Sequence, residues 1–321
     1  MKITFCVIYY NQEKYVEDSI NSILSITKNI DFEILVGDDG SQDKTIDKVK
    51  KFQTLLGEKL KIYTMSRDKN IKYNSIHRSS NNRLNLIQHS TGDYIMFLDG
   101  DDYYCDKNFL IQAIDKFNIY NELVAVGFRY KNVFLNREEI PKNKLAQGLI
   151  KAKDYIKKAY IPSGAFVFRN IFKNKYSLLV DNGFFDDNLI TIFALQYGKI
   201  YYFDRVVYAY RQLDNSTWNS YDDLQRNLIN VFDIAYISNI APSFKKNLFI
   251  RNFGAIKFLF YKRKELLKLF EEARYKNLKD EIEIIKNFKI YKIINYSNLC
   301  ILDKISLTIW FYSFKTFKRF L

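Results

Sequence analysis

The sequence predicts an α/β fold in which a mainly parallel sheet is covered by helices, followed by a helical region at the C-terminal end. Short apolar segments alternate with amphipathic helical segments through the first 100 residues, which is typical of parallel strands joined by helical crossovers. Two acidic clusters follow directly after such apolar segments. From Asp222 onward, apolar residues recur at helical spacing only.

The predicted elements of the first half follow from runs and stripes of apolar residues. The predicted strands are Ile3–Tyr9, Glu33–Val36, Leu60–Thr64 and Tyr94–Leu98. The helices between them carry apolar stripes at Val16, Ile20, Ile23 and Ile26 and at Ile46, Val49, Phe52 and Leu56. Asn11 is expected to cap the first helix, because asparagine is a favoured N-cap residue.

The second half mixes the two kinds of pattern before it becomes helical. Strands are predicted at Leu123–Tyr130, Gly164–Phe168, Lys199–Phe203 and Val206–Tyr210, and a helix at Asn188–Tyr197. Further helical stretches contain Leu224, Leu228, Val231 and Ile234, then Ala255–Phe270 and Leu278–Phe288. We place the boundary near Asn219–Tyr221, so residues 1–219 form one domain and residues 220–321 a basic helical region.

The positive charge is concentrated in the last quarter of the chain. The formal net charge is +14, and Ala241–Leu321 holds 18 basic and 7 acidic residues, a surplus of 11. Such asymmetry favours an anionic partner, either lipid headgroups or nucleic acid, and the alternative is a solvated basic face. Ile301–Leu321 mixes aromatic and basic residues, which suits a helix on an anionic membrane surface. The alternative is a helix packed on the first domain or on a second subunit.

Cysteine usage and the N-terminus indicate a cytoplasmic protein. Cys6, Cys105 and Cys300 are far apart and form no CxxC pair, which favours a reducing compartment. The N-terminus runs directly into a strand-like segment, so no signal peptide is expected. No apolar window reaches the roughly 18 residues of a membrane-spanning helix. Peripheral association with the inner face of the cell membrane is the expected location.

The acidic clusters carry the chemical signal. Gly37-Asp38-Asp39-Gly40-Ser41 and Asp99-Gly100-Asp101-Asp102 each follow a predicted strand, at the sheet edge where α/β folds bind ligands. Carboxylates suit Mg²⁺ or Mn²⁺, which take oxygen ligands and neutralise a leaving diphosphate. Taken alone, either cluster could also be a polar turn that ends a strand.

The order of the motifs resembles that of the family 2 glycosyltransferases with the GT-A fold, over roughly residues 3 to 216. The segments that carry the resemblance are Val7–Asn11 with Tyr15-Val16, Glu33–Ser41 with Asp43 and Thr45, Thr91–Asp102, Phe185-Asp186-Asp187 ahead of Gly198-Lys199-Ile200, and Tyr208–Arg211 with Asn215-Ser216. The resemblance implies an inverting, metal-dependent transferase of the bacterial cell-envelope type. It would move a sugar from UDP-hexose or UDP-N-acetylhexosamine to a hydroxyl of an envelope or surface glycan, or of a lipid-linked acceptor.

The resemblance also implies roles for individual residues. Donor binding is expected from Tyr10, Asp39, Arg83, Asp99 and Arg211, with Asp39 bonding the base, Tyr10 stacking on it and Asp99 touching the ribose or sugar side. Asp101 matches the metal-binding position for Mn²⁺ or Mg²⁺. Asp187 would be the catalytic base, while Asp186 and Asp187 could each also cap a helix. Leu213 replaces a histidine that many relatives carry, and Arg211 or a water would take over its contact.

Three alternatives remain at this stage. A nucleotidyltransferase would need a Gly-rich basic loop near the N-terminus, where the sequence has Tyr9-Tyr10-Asn11-Gln12. A nucleic-acid-binding protein fits the charge, but a crevice lined by Asp38, Asp39, Asp99, Asp101 and Asp102 would repel phosphates unless a metal intervened. No nucleic acid partner is therefore expected, although a metal-dependent nuclease could use such a cluster. His77 and His89 lie elsewhere in the sequence, which disfavours a zinc site.

Overall fold

The computed structural model describes residues 1–68, 75–142, 144–182, 185–213, 216, 218–219 and 221–262. By internal contacts the chain divides into two units, Met1–Ser220 and Tyr221–Leu321. The strands are β1 (Lys2–Tyr9), β2 (Asp31–Asp38), β3 (Leu60–Thr64), β4 (Tyr94–Asp99), β5 (Tyr103–Tyr104), β6 (Leu123–Val133), β7 (Glu138–Glu139), β8 (Gly148–Ile150), β9 (Phe166–Arg169) and β10 (Lys199–Arg211).

The helices alternate with these strands through the first unit. They are α1 (Val16–Ile26), α2 (Thr45–Leu56), α3 (Ser75–His89), α4 (Phe109–Ile119), α5 (Ala152–Lys158), α6 (Tyr176–Asn182) and α7 (Asp187–Ala194). The second unit contributes α8 (Asp223–Ile240), α9 (Lys245–Arg251) and α10 (Phe253–Tyr261). Short 3₁₀ turns lie at Gly57–Lys59, Ser163–Ala165, Lys173–Lys175 and Pro242–Phe244.

One mixed sheet forms the first unit, in the order β3-β2-β1-β4-β9-β6-β10-β5, with β7 beside β6 and β8 beside β10. Strands β3, β2, β1 and β4 are parallel to one another, β9 runs antiparallel to β4 and β6, and β6 is parallel to β10. The register pairs Tyr9 with Asp38 and Ile8 with Asp99. Both acidic clusters therefore leave the sheet at the same edge, on either side of β1.

Burial explains why the first elements form where the sequence predicts them. Strands β1, β2 and β4 are buried along nearly their whole length, as expected for parallel strands covered on both faces. Helix α1 buries Val16, Ile20, Ile23 and Ile26, the stripe predicted from their spacing. The four strands predicted in the first half are confirmed, with bounds that differ by a few residues.

Other elements differ from the sequence-based prediction. Asn11 does not cap α1, which begins at Val16, because the Asn11 side chain accepts a hydrogen bond from the Gln42 N–H at 2.7 Å. The strands predicted at Lys199–Phe203 and Val206–Tyr210 are one strand, β10, whose pairing with β6 is shifted between Tyr202 and Val206. Such a bulge interrupts the side-chain alternation, and the sequence pattern breaks there.

Helices also account for the described part of the second unit. Asp222 caps α8 through a capping box with Gln225. Leu224, Leu228 and Ile234 are buried. The stretches predicted at Leu278–Phe288 and Ile301–Leu321, and residues 263–270 of the predicted helix Ala255–Phe270, lie outside the described residues. Within the described ranges, no helix has both the length and the apolar character needed to span a membrane.

Glu33, near the start of β2, forms hydrogen bonds with residues at the start of β1 and just before β4. Its carboxylate accepts hydrogen bonds from Lys2 Nζ at 2.9 Å, Thr4 Oγ1 at 2.6 Å and the Thr91 N–H at 2.6 Å. The side chain is only 5% exposed. Burial opposes its ionisation, but these hydrogen bonds outweigh burial and lower the pKa of Glu33 below its usual value.

Replacing Glu33 with glutamine is expected to lower the free energy of unfolding by about 1.5–3 kcal/mol at pH 7, because charge-assisted hydrogen bonds are lost. The pKa of Glu33 is lower in the folded state than in the unfolded state, where it is about 4.3. The ionised carboxylate therefore stabilises the fold above that pH, and the stabilisation is lost as the pH falls below it. The difference between wild type and Glu33→Gln should therefore shrink in urea titrations toward pH 3. Asp31→Asn, at an exposed position on the same strand, is the control. A difference independent of pH would contradict this account.

Candidate active site

The two acidic clusters lie side by side because backbone hydrogen bonds continue past the strand ends. The Asp39 N–H donates to the Tyr9 carbonyl at 2.9 Å, and the Gly100 N–H donates to the Ile8 carbonyl at 2.9 Å. On the far side of β2, the Met65 N–H donates to the Asp38 carbonyl at 2.8 Å. The segments that follow β1, β2, β3 and β4 therefore meet at one edge of the sheet, which is the usual ligand position in such folds.

Asp38 and Asp39 serve different purposes. The Asp38 carboxylate accepts the Ser41 N–H at 3.1 and 3.3 Å, and Gly40 takes a φ of +73°, so Asp38 closes the turn. Asp39 is only 6% exposed, and each of its oxygens has an arginine partner. Arg67 reaches one oxygen at 2.6 Å and Arg78 reaches the other through Nε at 2.5 Å. Sequence reasoning had placed Asp38 in the crevice wall, and the structure corrects this.

Arg67 and Arg78 belong to the site predicted around Asp39 and Tyr10, but neither arginine was predicted from the sequence. The Arg67 guanidinium lies over the Tyr10 ring, 4.1 Å from its centroid, and Arg67 Nε donates to the Asp39 carbonyl at 3.1 Å. Arg78, on α3, also donates to the Ser66 carbonyl at 3.0 Å. The Tyr10 ring remains 42% exposed. An exposed aromatic face beside a carboxylate and two guanidinium groups provides stacking and hydrogen bonding for a heterocyclic base.

Arg83 connects α3 to the end of β4. Its guanidinium pairs with Asp99 at 2.6 Å, and the arginine is 7% exposed. Burial raises the pKa of Asp99, and the charge of Arg83 offsets part of that rise. Burial also opposes the charge on Arg83, but Asp99 and Asp187 more than compensate and raise the pKa of the guanidinium. The Arg83 Nε–H is buried and has no hydrogen-bond partner among the described residues.

Asp101 is the carboxylate best suited to hold a cation. Burial and the neighbouring charge of Asp99 raise the pKa of Asp101 to about 7, although a Gln12 hydrogen bond and Arg211 favour its ionised form. Among the described residues, no group of three or more His, Cys, Asp or Glu side chains is arranged to hold a metal. Mg²⁺ and Mn²⁺ need only one or two carboxylates when phosphate oxygens and waters complete the shell, so Asp101 beside Asp99 fits them.

Asp102 does not face the crevice, which corrects the sequence-based crevice wall. It is fully buried, accepts a hydrogen bond from the Tyr208 hydroxyl, and accepts the Arg211 N–H at 2.7 Å. Burial, with the charges of Asp101 and Asp99, raises its pKa well above the usual value. Asp102 therefore fastens the loop after β4 to β10 and fixes where Asp101 lies.

Arg211 is held at the same loop by several partners. Its guanidinium donates to the Asp101 carbonyl and, at 2.5 Å, to the Asp18 carboxylate. It also lies 4.9 Å from the ring centroid of Tyr15 and 4.6 Å from that of Tyr103. The geometry places this arginine next to the backbone of the proposed metal ligand.

Leu213, at the position where many relatives have histidine, takes part in a turn through its backbone. Its carbonyl accepts the Ser216 N–H at 3.0 Å and the Asn219 side-chain amide at 2.8 Å. His89 stacks on Tyr63 with a centroid distance of 4.2 Å. The side chain of Leu213 offers no metal ligand.

Asp186 and Asp187 make different contacts. Asp186 is the N-cap of α7 and accepts the Leu189 N–H at 2.8 Å. The Asp187 carboxylate instead accepts hydroxyl hydrogen bonds from Ser163 at 2.5 Å and from Tyr160 at 3.0 Å. Two residues before Asp187, the Phe185 N–H donates to Ser80 Oγ on α3 at 3.0 Å, and α3 also carries Arg83, the partner of Asp99. The turn that begins at Ser163 packs against β4, so Asp187 lies near the strand that ends at Asp99.

The sequence matches the profile of glycosyl transferase family 2 over residues 4–174, more than half of the chain. The chain belongs to glycosyl transferase family 2. This assignment confirms the enzyme class predicted from the motifs and removes the nucleotidyltransferase and nuclease alternatives. The matched residues include the Asp39, Asp99 and Asp101 segments and end before Asp187.

Curated relatives of this family 2 glycosyltransferase are similar over limited lengths. A teichoic acid poly(glycerol phosphate) polymerase of Staphylococcus epidermidis is 30% identical over 39% of this chain and 16% of its own. Poly(ribitol-phosphate) β-N-acetylglucosaminyltransferase TarS of Staphylococcus aureus is 29% identical over 32% of this chain and 17% of its own. An uncharacterised glycosyltransferase of Mycoplasma genitalium is 28% identical over 64% and 71%. The chain thus aligns with less than a fifth of the first two proteins.

Solved structures confirm the predicted GT-A fold. Residues 1–349 of Staphylococcus aureus TarS in complex with UDP-GlcNAc superpose with a TM-score of 0.55 at 20% identity, covering 78% of this chain and 73% of that one. The complex of the same protein with UDP gives a TM-score of 0.53 at 20% identity over 87% and 74% of the two chains. At this identity the likeness establishes the shared fold.

Proposed function

We propose that this enzyme is an inverting, metal-dependent glycosyltransferase that moves a sugar from a UDP-sugar to a hydroxyl of an envelope or surface glycan. The observation that carries the proposal is the convergence at one sheet edge of Tyr10 and Asp39, of Asp99 and Asp101, and of Asp187. These residues come from three distant parts of the sequence. Each group matches one requirement of the reaction: a base site, a metal site and a proton acceptor.

The base site supports a uridine donor. The Asp39 carboxylate can accept the uracil N–H on lone pairs that the arginines leave, and the exposed Tyr10 ring provides a stacking face. Arg67 lies on that ring, so it either stacks on the base or turns aside when the nucleotide enters. UDP-N-acetylhexosamine is the donor we favour over UDP-hexose, because the related TarS structure was solved with UDP-GlcNAc.

The metal and the diphosphate share the edge beside Asp101. Asp101, with Asp99 next to it, would hold Mn²⁺ or Mg²⁺, which neutralises the charge that develops on the diphosphate leaving group. Arg83 holds Asp99 at 2.6 Å and offers a buried Nε–H near the donor. Arg211 keeps the Asp101 backbone in position and takes the place of the histidine found in many relatives.

Asp187 is the group positioned to accept a proton. It removes the proton from the acceptor hydroxyl as that oxygen attacks the anomeric carbon on the face opposite the departing UDP. Attack from the opposite face inverts the anomeric centre. Because Asp187 is held by Ser163 and Tyr160, its carboxylate is oriented before the acceptor arrives, as efficient proton transfer requires.

The basic region from residue 220 to 321 has a separate proposed role. Its surplus of positive charge suits association with an anionic membrane surface, where a lipid-linked or envelope glycan acceptor would be presented. The enzyme would then act from the inner face of the membrane. Homo-oligomerisation through the C-terminal helices is the alternative for this region.

Thermal unfolding with a nucleotide panel tests the proposed donor. With Mn²⁺ present, UDP and UDP-GlcNAc should raise the Tm, since a ligand at 100 times its Kd stabilises by about 2.7 kcal/mol. GDP, CDP and dTDP should give smaller shifts. Tyr10→Ala should lose most of the UDP shift and keep the Tm of the ligand-free protein, because the Tyr10 ring is exposed. Equal shifts with GDP and UDP would reject a uridine site.

A further inference from the structure

The two hydroxyl partners of Asp187 differ in how firmly they are held. Ser163 begins a 3₁₀ turn, is 3% exposed and donates to Oδ1 at 2.5 Å. Tyr160 lies on the segment between α5 and that turn, is 40% exposed and donates to Oδ2 at 3.0 Å. A buried serine in a turn is held more firmly than a tyrosine that is partly exposed, so Tyr160 is the partner that can give way to another hydroxyl. The Tyr160 hydroxyl thus occupies one carboxylate oxygen as an incoming hydroxyl would.

Two further tyrosines lie beside this carboxylate. Tyr130 on β6 and Tyr210 on β10 are partly exposed, and their ring centroids are 6.4 Å apart in an edge-to-face arrangement. The strand register pairs Tyr130 with Tyr208, two residues before Tyr210, so these side chains share one face of the sheet. The Tyr208 ring on that face lies against Gly164, the residue after Ser163, so this face of β6 and β10 adjoins the turn that holds Asp187. Tyr130 and Tyr210 thus lie on the side of Asp187 where Tyr160 also bonds.

The chemistry of this surface favours a neutral sugar. A tyrosine ring offers an apolar face to the C–H face of a pyranose and a hydroxyl to its polar edge. The charge beside these rings is the Asp187 carboxylate, and the nearby arginines Arg83 and Arg211 are already paired with Asp99 and Asp18. The donor diphosphate would lie where a cation is proposed, but a phosphate group on the acceptor would meet the charge of Asp187. A polyol phosphate chain is therefore the less compatible acceptor.

We propose that Tyr130, Tyr160 and Tyr210 form an acceptor subsite for an uncharged sugar ring, and that the acceptor hydroxyl displaces the Tyr160 hydroxyl from Asp187. This inference rests on the proposed function, in which Asp187 is the base. In the transfer step the acceptor proton passes to Asp187 Oδ2 and the acceptor oxygen bonds to the anomeric carbon. The anomeric carbon–oxygen bond to UDP breaks, and its electron pair leaves on the diphosphate. Ser163 continues to hold Oδ1 throughout.

Two substitutions at Tyr160 separate the ring from its hydroxyl. Tyr160→Phe keeps the stacking surface and frees Asp187 Oδ2, so the acceptor KM should stay the same or fall. Tyr160→Ala removes the ring, and the acceptor KM should rise about 3–10-fold, in line with an aromatic contact of about 0.5–1.5 kcal/mol. In both variants the KM for UDP-GlcNAc should be unchanged. Tyr197→Ala is the matched control, because that tyrosine is 42% exposed and lies beyond the opposite end of α7.

The probes are methyl β-glycosides of glucose, galactose and N-acetylglucosamine, with glycerol 3-phosphate as the charged comparison. UDP release is measured with Mn²⁺ and UDP-GlcNAc, with and without each probe. Saturation-transfer NMR with UDP and Mn²⁺ present detects glycoside binding independently of turnover. We expect ring-proton saturation for at least one glycoside with wild type and Tyr197→Ala, and weaker saturation with Tyr160→Ala.

Three results would overturn the acceptor subsite while leaving the proposed function intact. The first is that the enzyme binds UDP but no glycoside shows saturation transfer. The second is that glycerol 3-phosphate, and none of the glycosides, stimulates UDP release. The third is that Tyr160→Phe and Tyr160→Ala lose kcat equally while the acceptor KM is unchanged. The last would make Tyr160 a positioning residue for Asp187 only. Failure of wild type to bind UDP or UDP-GlcNAc would instead overturn the proposed function, and the subsite with it.

Discussion

Replacing Asp187 with asparagine is expected to reduce sugar transfer about 10³-fold while donor binding stays unchanged, because a positioned general base contributes about 10²–10⁴-fold. Asparagine has nearly the same shape, and its amide oxygen can still accept the Ser163 hydroxyl, so the local structure should persist. It cannot take up the acceptor proton. The loss should appear in kcat with the KM for UDP-GlcNAc preserved, and calorimetric titration of UDP with Mn²⁺ should give the wild-type Kd.

The neighbouring carboxylate provides a control for this prediction. Asp186 caps α7 by accepting the Leu189 N–H, and asparagine is as good an N-cap as aspartate. Asp186→Asn should therefore change transfer by no more than a few-fold and leave the Tm nearly unchanged. If Asp187→Asn keeps more than about a tenth of the wild-type kcat, the proton goes to another group and the mechanism proposed for Asp187 is wrong.

The parts of the fold that the sequence predicts are those with a visible apolar period. Strand β1 is a run of apolar residues, and α1 places Val16, Ile20, Ile23 and Ile26 on one buried face. Burial of an uninterrupted strand or of one helical stripe is a local property, so local sequence is sufficient to predict it. The acidic clusters were predicted to meet because both follow strands that end at the same sheet edge.

Helix α3 shows where the apolar period fails. Its buried face includes the polar residues Ser80, Asn82 and Arg83, which bond to the Phe185 N–H, the Gly37 carbonyl and Asp99. A helix that lies against a polar site buries hydrogen-bonding groups as well as apolar ones, and the buried apolar residues Leu84, Leu86 and Ile87 are confined to the second half of α3. Local rules commonly break at functional sites, and here the break marks the helix that carries Arg78 and Arg83.

The partners of the aspartates depend on tertiary structure, which local patterns do not contain. Arg67 follows β3, and β3 pairs with β2, the strand that Asp39 follows. The adjacency of these two strands was the sequence-level indication that Arg67 could form an ion pair with Asp39. Asp102 was placed in the crevice because it adjoins Asp101 in sequence. Its burial depends on Tyr208, more than 100 residues later, which bonds it from β10. A sequence-based assignment therefore finds the acidic cluster but not the tertiary contacts that bury Asp102 away from the crevice.

Replacing Asp101 with asparagine is expected to abolish metal-dependent transfer, lowering kcat/KM at least about 10³-fold, because the charge that would hold Mn²⁺ or Mg²⁺ is removed. The same change should stabilise the metal-free protein. Asp101 is partly buried beside Asp99, so its negative charge opposes folding unless a cation is present. A gain of about 1 kcal/mol would raise the Tm by roughly 1–2 °C for a chain of 321 residues.

Asp102→Ala is the comparison that separates the two neighbours. Asp102 accepts hydrogen bonds through both oxygens from Tyr208 and the Arg211 N–H, so truncation to alanine leaves two donors without their acceptor and opens a cavity at a buried position. That variant should lower the Tm, whereas Asp101→Asn raises it. Measurements are thermal unfolding in EDTA and UDP-GlcNAc turnover across a Mn²⁺ titration. If Asp101→Asn retains Mn²⁺-stimulated turnover, the cation is held elsewhere, because an asparagine amide cannot replace the charge that the diphosphate complex requires.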